Sequence, residues 1–237
     1  MKAPPSRRET ALTRLEVLVL VVAVAIPVTL FLGAMSGAKR MANEGACVNN
    51  LKQLGLAFRI FSNEHDGEWP MALSVTNGGT REWLSNPDQL WRCFLWVSNT
   101  LYEPRVFLTP RMLRCPSDWQ KTRADEFAAR PVNPNAVVFS GNQHLSYFLG
   151  LNTSEDQPRS ILSGDRNLMA GGIPVSAGRL ELTTNHVLGW TKKIHNGIGQ
   201  ILFNDGSVDQ ADSGHLNEAW RNAHTSSGLT TNVWLVP

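Results

Sequence analysis

Behind Arg7-Arg8 and the segment Ala11-Leu12-Thr13-Arg14-Leu15-Glu16, the chain runs from Val17 to Met35 without a single charged residue. About 20 residues at ~1.5 Å rise each match the ~30 Å hydrocarbon core of a bilayer. A helix that packs on a soluble core is apolar along one stripe rather than on every face. The run is therefore expected to be a membrane span. The basic pair ahead of it sets the orientation, because positive flanks stay cytoplasmic, so everything after Lys39 is expected outside the cytoplasm. A cleaved secretory signal has a shorter apolar region of ~7–15 residues that ends at a small-residue cleavage site. Here the candidate small-residue site precedes the run.

Glu16 stands at the edge of that run, where an ionisable group either sits among headgroups or has a partner inside the membrane. Its surroundings, Ala11 followed by Leu12-Thr13-Arg14-Leu15-Glu16-Val17-Leu18-Val19, resemble the prepilin-type leader of type IV pilins and type II secretion pseudopilins. The resemblance implies cleavage between Ala11 and Leu12 by a prepilin peptidase, followed by methylation of the new Leu12 amine. It also implies that Glu16 pairs with the amine of a neighbouring subunit in a filament. The physics agrees, since a carboxylate buried among apolar helices needs a cationic partner. Ala11 takes the place usually held by glycine, and Arg14 stands where an apolar residue is common.

Beyond the span, Cys47, Leu51, Leu54, Phe58 and Phe61 recur at helical spacing on one face, with Leu56 and Ile60 as a second apolar edge. This stretch is expected to pack under a globular layer and to stop between Asn63 and Gly67, with Pro70 beyond. From Thr13 to Asn63 such a helix would measure roughly 75 Å. Pro27 and the stretch from Gly33 to Gly37 are places for a kink.

Further motifs extend the resemblance to the pilin-like proteins abundant in planctomycetes and verrucomicrobia. They are Cys47-Val48-Asn49-Asn50-Leu51-Lys52-Gln53-Leu54, Leu113-Arg114-Cys115-Pro116-Ser117-Asp118, Ser146-Tyr147-Phe148-Leu149-Gly150, Leu162-Ser163-Gly164-Asp165-Arg166-Asn167, and His195-Asn196-Gly197 leading to Phe203-Asn204-Asp205-Gly206-Ser207-Val208. The fold class implied is α+β and pilin-like, a long N-terminal transmembrane helix packed on a mainly antiparallel β-sheet. Residues 1–11 would be the leader, 12–66 the helix with its transmembrane half at 17–35, and 67–237 one globular domain.

About 170 residues after the helix are enough for a single core. Asn86 to Asn99 reads as a short helix behind an Asn-Pro start. The C-terminal half reads as short strands at 137–139, 145–149, 180–183, 187–189, 199–203 and 207–210. The last two form a hairpin in which Asp205-Gly206 is expected to supply the positive backbone angles of a tight turn.

The three cysteines, Cys47, Cys93 and Cys115, fall on the oxidising side of the expected topology. Three pairings are open. Cys47 with Cys115 would join two of the motifs and tie the long helix to the globular layer. A thiolate metal site is not expected, because there is no Cys-x-x-Cys and no histidine at ligand spacing from another. Some pseudopilins carry calcium near the C-terminal end, and Asp205, Asp209 and Asp212 offer oxygen ligands. No EF-hand loop is present, so these three read as a turn and a solvated loop, with calcium left open and no ligands assigned.

The six histidines include no His-Glu-x-x-His pair, and neither a Gly-x-Ser-x-Gly elbow nor a phosphate loop occurs. A net charge of +2 with interspersed signs gives no stripe for nucleic acid. The expectation is a non-enzymatic subunit of a pseudopilus or type IV pilus-like filament, anchored in the inner membrane with a periplasmic domain. Its partners would be pilin or pseudopilin subunits and the peptidase. The alternative is a membrane-anchored domain that binds polysaccharide, for which Trp69, Trp83, Trp190, Trp220 and Trp234 would line the surface. Core packing is the competing use of those rings.

Overall fold

The computed structural model describes residues 13–100, 109–127, 133–227 and 231–237, the side chains at 31–34, 36, 99–100 and 226–227 excepted. The sites Ala11 and Leu12 lie outside the described residues. The chain divides into two compact units, Met1–Ala42 and Asn43–Pro237.

Helix α1 is assigned without interruption over Arg14–Glu64, Pro27 included. Its start is set by a reciprocal cap. The Thr13 backbone N–H and hydroxyl both donate to Glu16 Oε2, at 2.7 and 2.8 Å, and the Glu16 N–H donates to Thr13 Oγ1 at 3.3 Å. This capping box satisfies amides that the first turn would leave bare. The signal was in the sequence as Thr-x-x-Glu. In the first unit Leu15, Leu18, Leu20, Val21 and Leu30 are all exposed. Among the described residues, no helix is long and apolar enough to cross a membrane.

In the second unit the remainder of α1 buries Cys47, Leu51, Leu54, Phe58 and Phe61, the stripe expected from spacing. Leu56 differs. It stays exposed, so only Ile60 forms the second edge. The helix ends at Glu64, and Asp66 and Gly67 take left-handed angles of 53° and 84°, the conformation that stops a helix.

Among the described residues nine strands follow α1 in the chain: β1 Tyr147–Gly150, β2 Ile161–Asp165, β3 Leu168–Ala170, β4 Ile173–Pro174, β5 Gly178–Leu182, β6 Leu188–Trp190, β7 Gly199–Phe203, β8 Val208–Ala211 and β9 Asn232–Val236. Six of them form one sheet in the order β5-β9-β1-β2-β7-β8, every neighbouring pair antiparallel, and β4-β3-β6 form a smaller one. Helices α2 (Leu90–Thr100) and α3 (Ser213–Ser227) complete the α+β fold.

Alternation along the central strands divides the core in two. Tyr147, Leu149, Leu202 and Leu235 join Leu54 and Phe58 of α1 in one cluster. Phe148, Ile201, Phe203, Trp234 and Val236 join Leu216 and Trp220 of α3 in the other. A period of two sends successive side chains to opposite faces, and here both faces are covered. Gly55 lets α1 come close to the sheet: a Cβ there would lie 2.8 Å from Leu202 Cδ1.

Two local expectations need correction. Residues 137–139 form no strand; Val138 makes only an isolated parallel bridge to Glu126. The β7–β8 turn is not a two-residue turn with two positive angles. Only Gly206 is left-handed, at 81°, while Gly206 N–H donates to Phe203 O and Phe203 N–H to Ser207 O. That is a three-residue loop closed by a glycine bulge. It is favoured because Asp205 Oδ1 accepts from the N–H and hydroxyl of Ser207, at 2.8 and 2.5 Å.

Candidate functional site

The motifs that follow one another along the chain converge below α1. Asp165 closes β2 in register with Tyr147 of β1, so both side chains leave the sheet on one face, that of the cluster containing Cys47. Asp165 Oδ2 accepts the Gln200 N–H at 2.8 Å. Gly164, just before it, has no room for a side chain: a Cβ would lie 2.6 Å from Gln200 O and 2.8 Å from the Phe148 ring.

His195 sits in the loop between β6 and β7. The loop turns back through Asn196 and Gly197, with φ of 54° and 92°. Asn167 pins its two ends, donating from Nδ2 to Thr191 O at 3.1 Å and to Ile198 O at 3.3 Å, and accepting Thr191 N–H at 2.7 Å. The imidazole is thereby held inside. Its Nε2 lies 3.2 Å from Cys115 Sγ and 3.4 Å from Asp165 Oδ2. Cys115 is joined to Cys47 by a disulfide.

Thus Cys47, Cys115, Asp165 and His195, all buried, bring one donor atom each to within 4.8 Å of one another. This is the one such gathering among the described residues. Burial sets its electrostatics. It pushes the Asp165 carboxyl up to about 7, against the Gln200 N–H that favours the anion, with the Asp118 charge adding to the rise. It pushes His195 down, against the charges of Glu44 and Asp118. Each group is driven toward its neutral form, so the pair is not a full ion pair. Tyr147, buried beside Asp165, is raised above the ordinary phenol range by that burial, and accepts from Asn50 Nδ2 at 3.3 Å.

A second polar knot fixes the frame. Arg166 reaches Asp118 with Nε and Nη2, and Ser146 Oγ donates to Asp118 Oδ2 at 2.8 Å. The Ser146 N–H donates to Leu113 O and the Arg166 N–H to Ser146 O. The segments around Cys115, Ser146 and Asp165 are therefore one network rather than three motifs. Desolvation alone would raise Asp118, but Arg166, Ser146 and the Gln120 N–H together hold its carboxyl below the usual range.

The structure brings Cys47 and Cys115 together and leaves Cys93 as a buried free thiol, pushed up to about 12 by burial. Glu16 is placed in its own helix cap. Asp205 is used in the β7–β8 turn, and Asp212 caps α3 by accepting the His215 N–H at 2.9 Å. Trp69, Trp190, Trp220 and Trp234 are buried, and Trp83 is half-buried. Asp165 and His195 were missed as partners of the cysteines. They stand 30 positions apart and far from either cysteine, so no local spacing carries the signal, although both lie in the quoted motifs.

With the Cys47–Cys115 disulfide opened, two thiolate sulfurs, one imidazole nitrogen and one carboxylate oxygen would make a four-donor set. With every member buried the cluster offers no open face to a substrate, so it is suited to holding structure rather than to turnover. Comparison with protein-family models, with curated proteins and with solved structures finds no match.

Proposed function

We propose that this chain is a pilin- or pseudopilin-like structural subunit, anchored by its N-terminal helix in the inner membrane and assembled with like subunits into an envelope filament. One observation carries the reading. Helix α1 holds, in order, the Thr13–Glu16 cap, the uncharged run from Val17 to Met35, and the buried stripe from Cys47 to Phe61 beneath an antiparallel sheet. In sequence the uncharged run has the length expected of a span, and the buried stripe would join such a helix to a folded domain.

In this reading a prepilin peptidase cuts between Ala11 and Leu12, the domain after Lys39 lies in the periplasm, and subunits pack through their N-terminal helices. Catalysis has no place in it. The polysaccharide-binding alternative loses its main support, since four of the five tryptophans that would form its surface are buried.

Mass analysis of the N-terminal peptide from protein purified out of its native envelope tests the proposal. A chain that begins at an N-methylated Leu12 is the expected result. An intact Met1 start would make α1 a static anchor, and a start beyond Met35 would make the apolar run a secretion signal; either overturns the filament reading.

A further inference from the structure

We propose that Cys47, Cys115, His195 and Asp165 form a four-coordinate zinc site in the dithiol form of the chain, and that zinc and the Cys47–Cys115 disulfide exclude one another. The inference is independent of filament assembly. It begins from a cost: a carboxyl and an imidazole, both fully buried side chains, stand against two sulfurs in an otherwise apolar core. Core packing gives no reason to place them there, because burying such groups is favourable only when they are paired. They are incompletely paired. His195 Nδ1 and Asp165 Oδ1 are buried with no hydrogen-bond partner among the described residues, whereas the close contacts are made by Nε2 and Oδ2, so it is the gathering of one donor from each of the four residues within 4.8 Å that points to an ion.

The spacing fits a small tetrahedral ion. Zinc bonds of about 2.0–2.3 Å to nitrogen, oxygen and sulfur place neighbouring ligands roughly 3.3–3.8 Å apart. The Cys115 Sγ–His195 Nε2 and His195 Nε2–Asp165 Oδ2 separations are 3.2 and 3.4 Å. Opening the disulfide frees the two sulfurs to take the remaining corners. Thiolate and imidazole donors select zinc over calcium or magnesium, which prefer oxygen. The four ligands come from α1, the loop after Leu113, the end of β2 and the β6–β7 loop, so one ion would join the same segments that the disulfide joins in part.

The two states interconvert with a balanced reaction. A phosphine reduces the disulfide to two thiols, consuming one water and leaving as its oxide. Zinc then binds the two sulfurs and releases their two protons to solvent.

The test uses the full chain in detergent, carrying Cys93→Ser so that Cys47 and Cys115 are its only thiols. Zinc alone, and cobalt alone as its spectroscopic substitute, are added to the disulfide form and to the phosphine-reduced form. One zinc per reduced chain and none per disulfide chain are expected, with a cobalt spectrum showing tetrahedral bands and sulfur charge transfer. Asp165→Asn and His195→Gln should each weaken zinc at least ~100-fold in chelator competition, at or beyond the upper end of what loss of a supporting group alone costs. Should either variant fail to fold, the disulfide and dithiol forms of the parent still decide. Absence of stoichiometric zinc in the reduced form overturns the proposal. So does equal binding by the disulfide form, an octahedral cobalt spectrum, or undiminished affinity in both folded variants.

Discussion

Arg166 holds Asp118 with two side-by-side bonds, Nε to Oδ2 at 2.6 Å and Nη2 to Oδ1 at 2.8 Å, with the carboxylate 1% and the guanidinium side chain 16% exposed. This bidentate geometry is beyond the reach of a lysine. Removing the cation strands a buried anion, which typically costs about 3–5 kcal/mol. Arg166→Met should therefore lower the free energy of chemical unfolding by an amount in that range at pH 7. Arg166→Lys should recover only part of it. A loss below ~1 kcal/mol would show the pair to be no stronger than a surface salt bridge.

The same pair predicts acid sensitivity. Asp118 has a folded pKa below its ordinary 3.8, so the unfolded chain binds its proton first as pH falls. Its contribution is complete above about pH 4 and is lost as pH drops through the folded value. Without Arg166 the desolvation of Asp118 is opposed only by Ser146 and the Gln120 N–H, and its folded pKa rises. The penalty of Arg166→Met should accordingly shrink between pH 5 and pH 2. Parallel unfolding midpoints for the two proteins across that range would contradict the assignment.

Much of the second unit could be read from local pattern. The stripe Cys47, Leu51, Leu54, Phe58 and Phe61 keeps one period over four turns, and all five are buried. Helix α3 escaped because its apolar positions, Leu216, Trp220 and Ala223, are few against a polar background. Asp212, whose side chain accepts the His215 N–H, was the usable sign of its start. The place of strand β9 between β5 and β1 depends on partners 50 or more positions away. The cluster around His195 was illegible for the same reason. Ligand spacing reports on sites built within one turn or hairpin, whereas these four residues meet only after β1, β2 and β7 have paired. The Thr13–Glu16 cap, by contrast, is legible as Thr-x-x-Glu.

Gly164 permits the close approach of β2 to its neighbours. An added Cβ would meet the Gln200 carbonyl at 2.6 Å and the Phe148 ring at 2.8 Å, and a backbone oxygen in a central strand cannot move aside cheaply. Gly164→Ala should cost about 1–3 kcal/mol, the usual range for overpacking. It should also weaken the Asp165–Gln200 bond one residue on. Gly171→Ala, where nothing lies within 4 Å of the added atom, reports the separate strain of a positive φ in an open turn. Equal losses at the two positions would argue against the packing explanation.

Cys93 is fully buried, accepts from Thr80 Oγ1 at 3.4 Å, and has its thiol pushed up to about 12 by desolvation. Both access and thiolate fraction are therefore low at neutral pH. Iodoacetamide should leave Cys93 unmodified in the folded, non-reduced chain and label it fully once the chain is unfolded in urea, as read by peptide mass. Rapid labelling of the folded chain would place Cys93 at an accessible site.

Glu16 serves two roles that substitutions can separate. Within its own helix the carboxylate accepts from Thr13, a job glutamine also performs at the third position of a capping box. In the filament proposed above, its charge would neutralise the amine of a neighbour, which glutamine cannot do. Thr13→Val removes the hydroxyl and should cost the helix start about 1 kcal/mol while leaving the charge in place. Glu16→Gln keeps the cap geometry and removes the charge. If pairing between subunits is the role that matters, Glu16→Gln should abolish incorporation into filaments while Thr13→Val reduces it only slightly, scored by the fraction of chain recovered in sheared filaments against total membrane. The reverse order would make Glu16 a helix cap and nothing more.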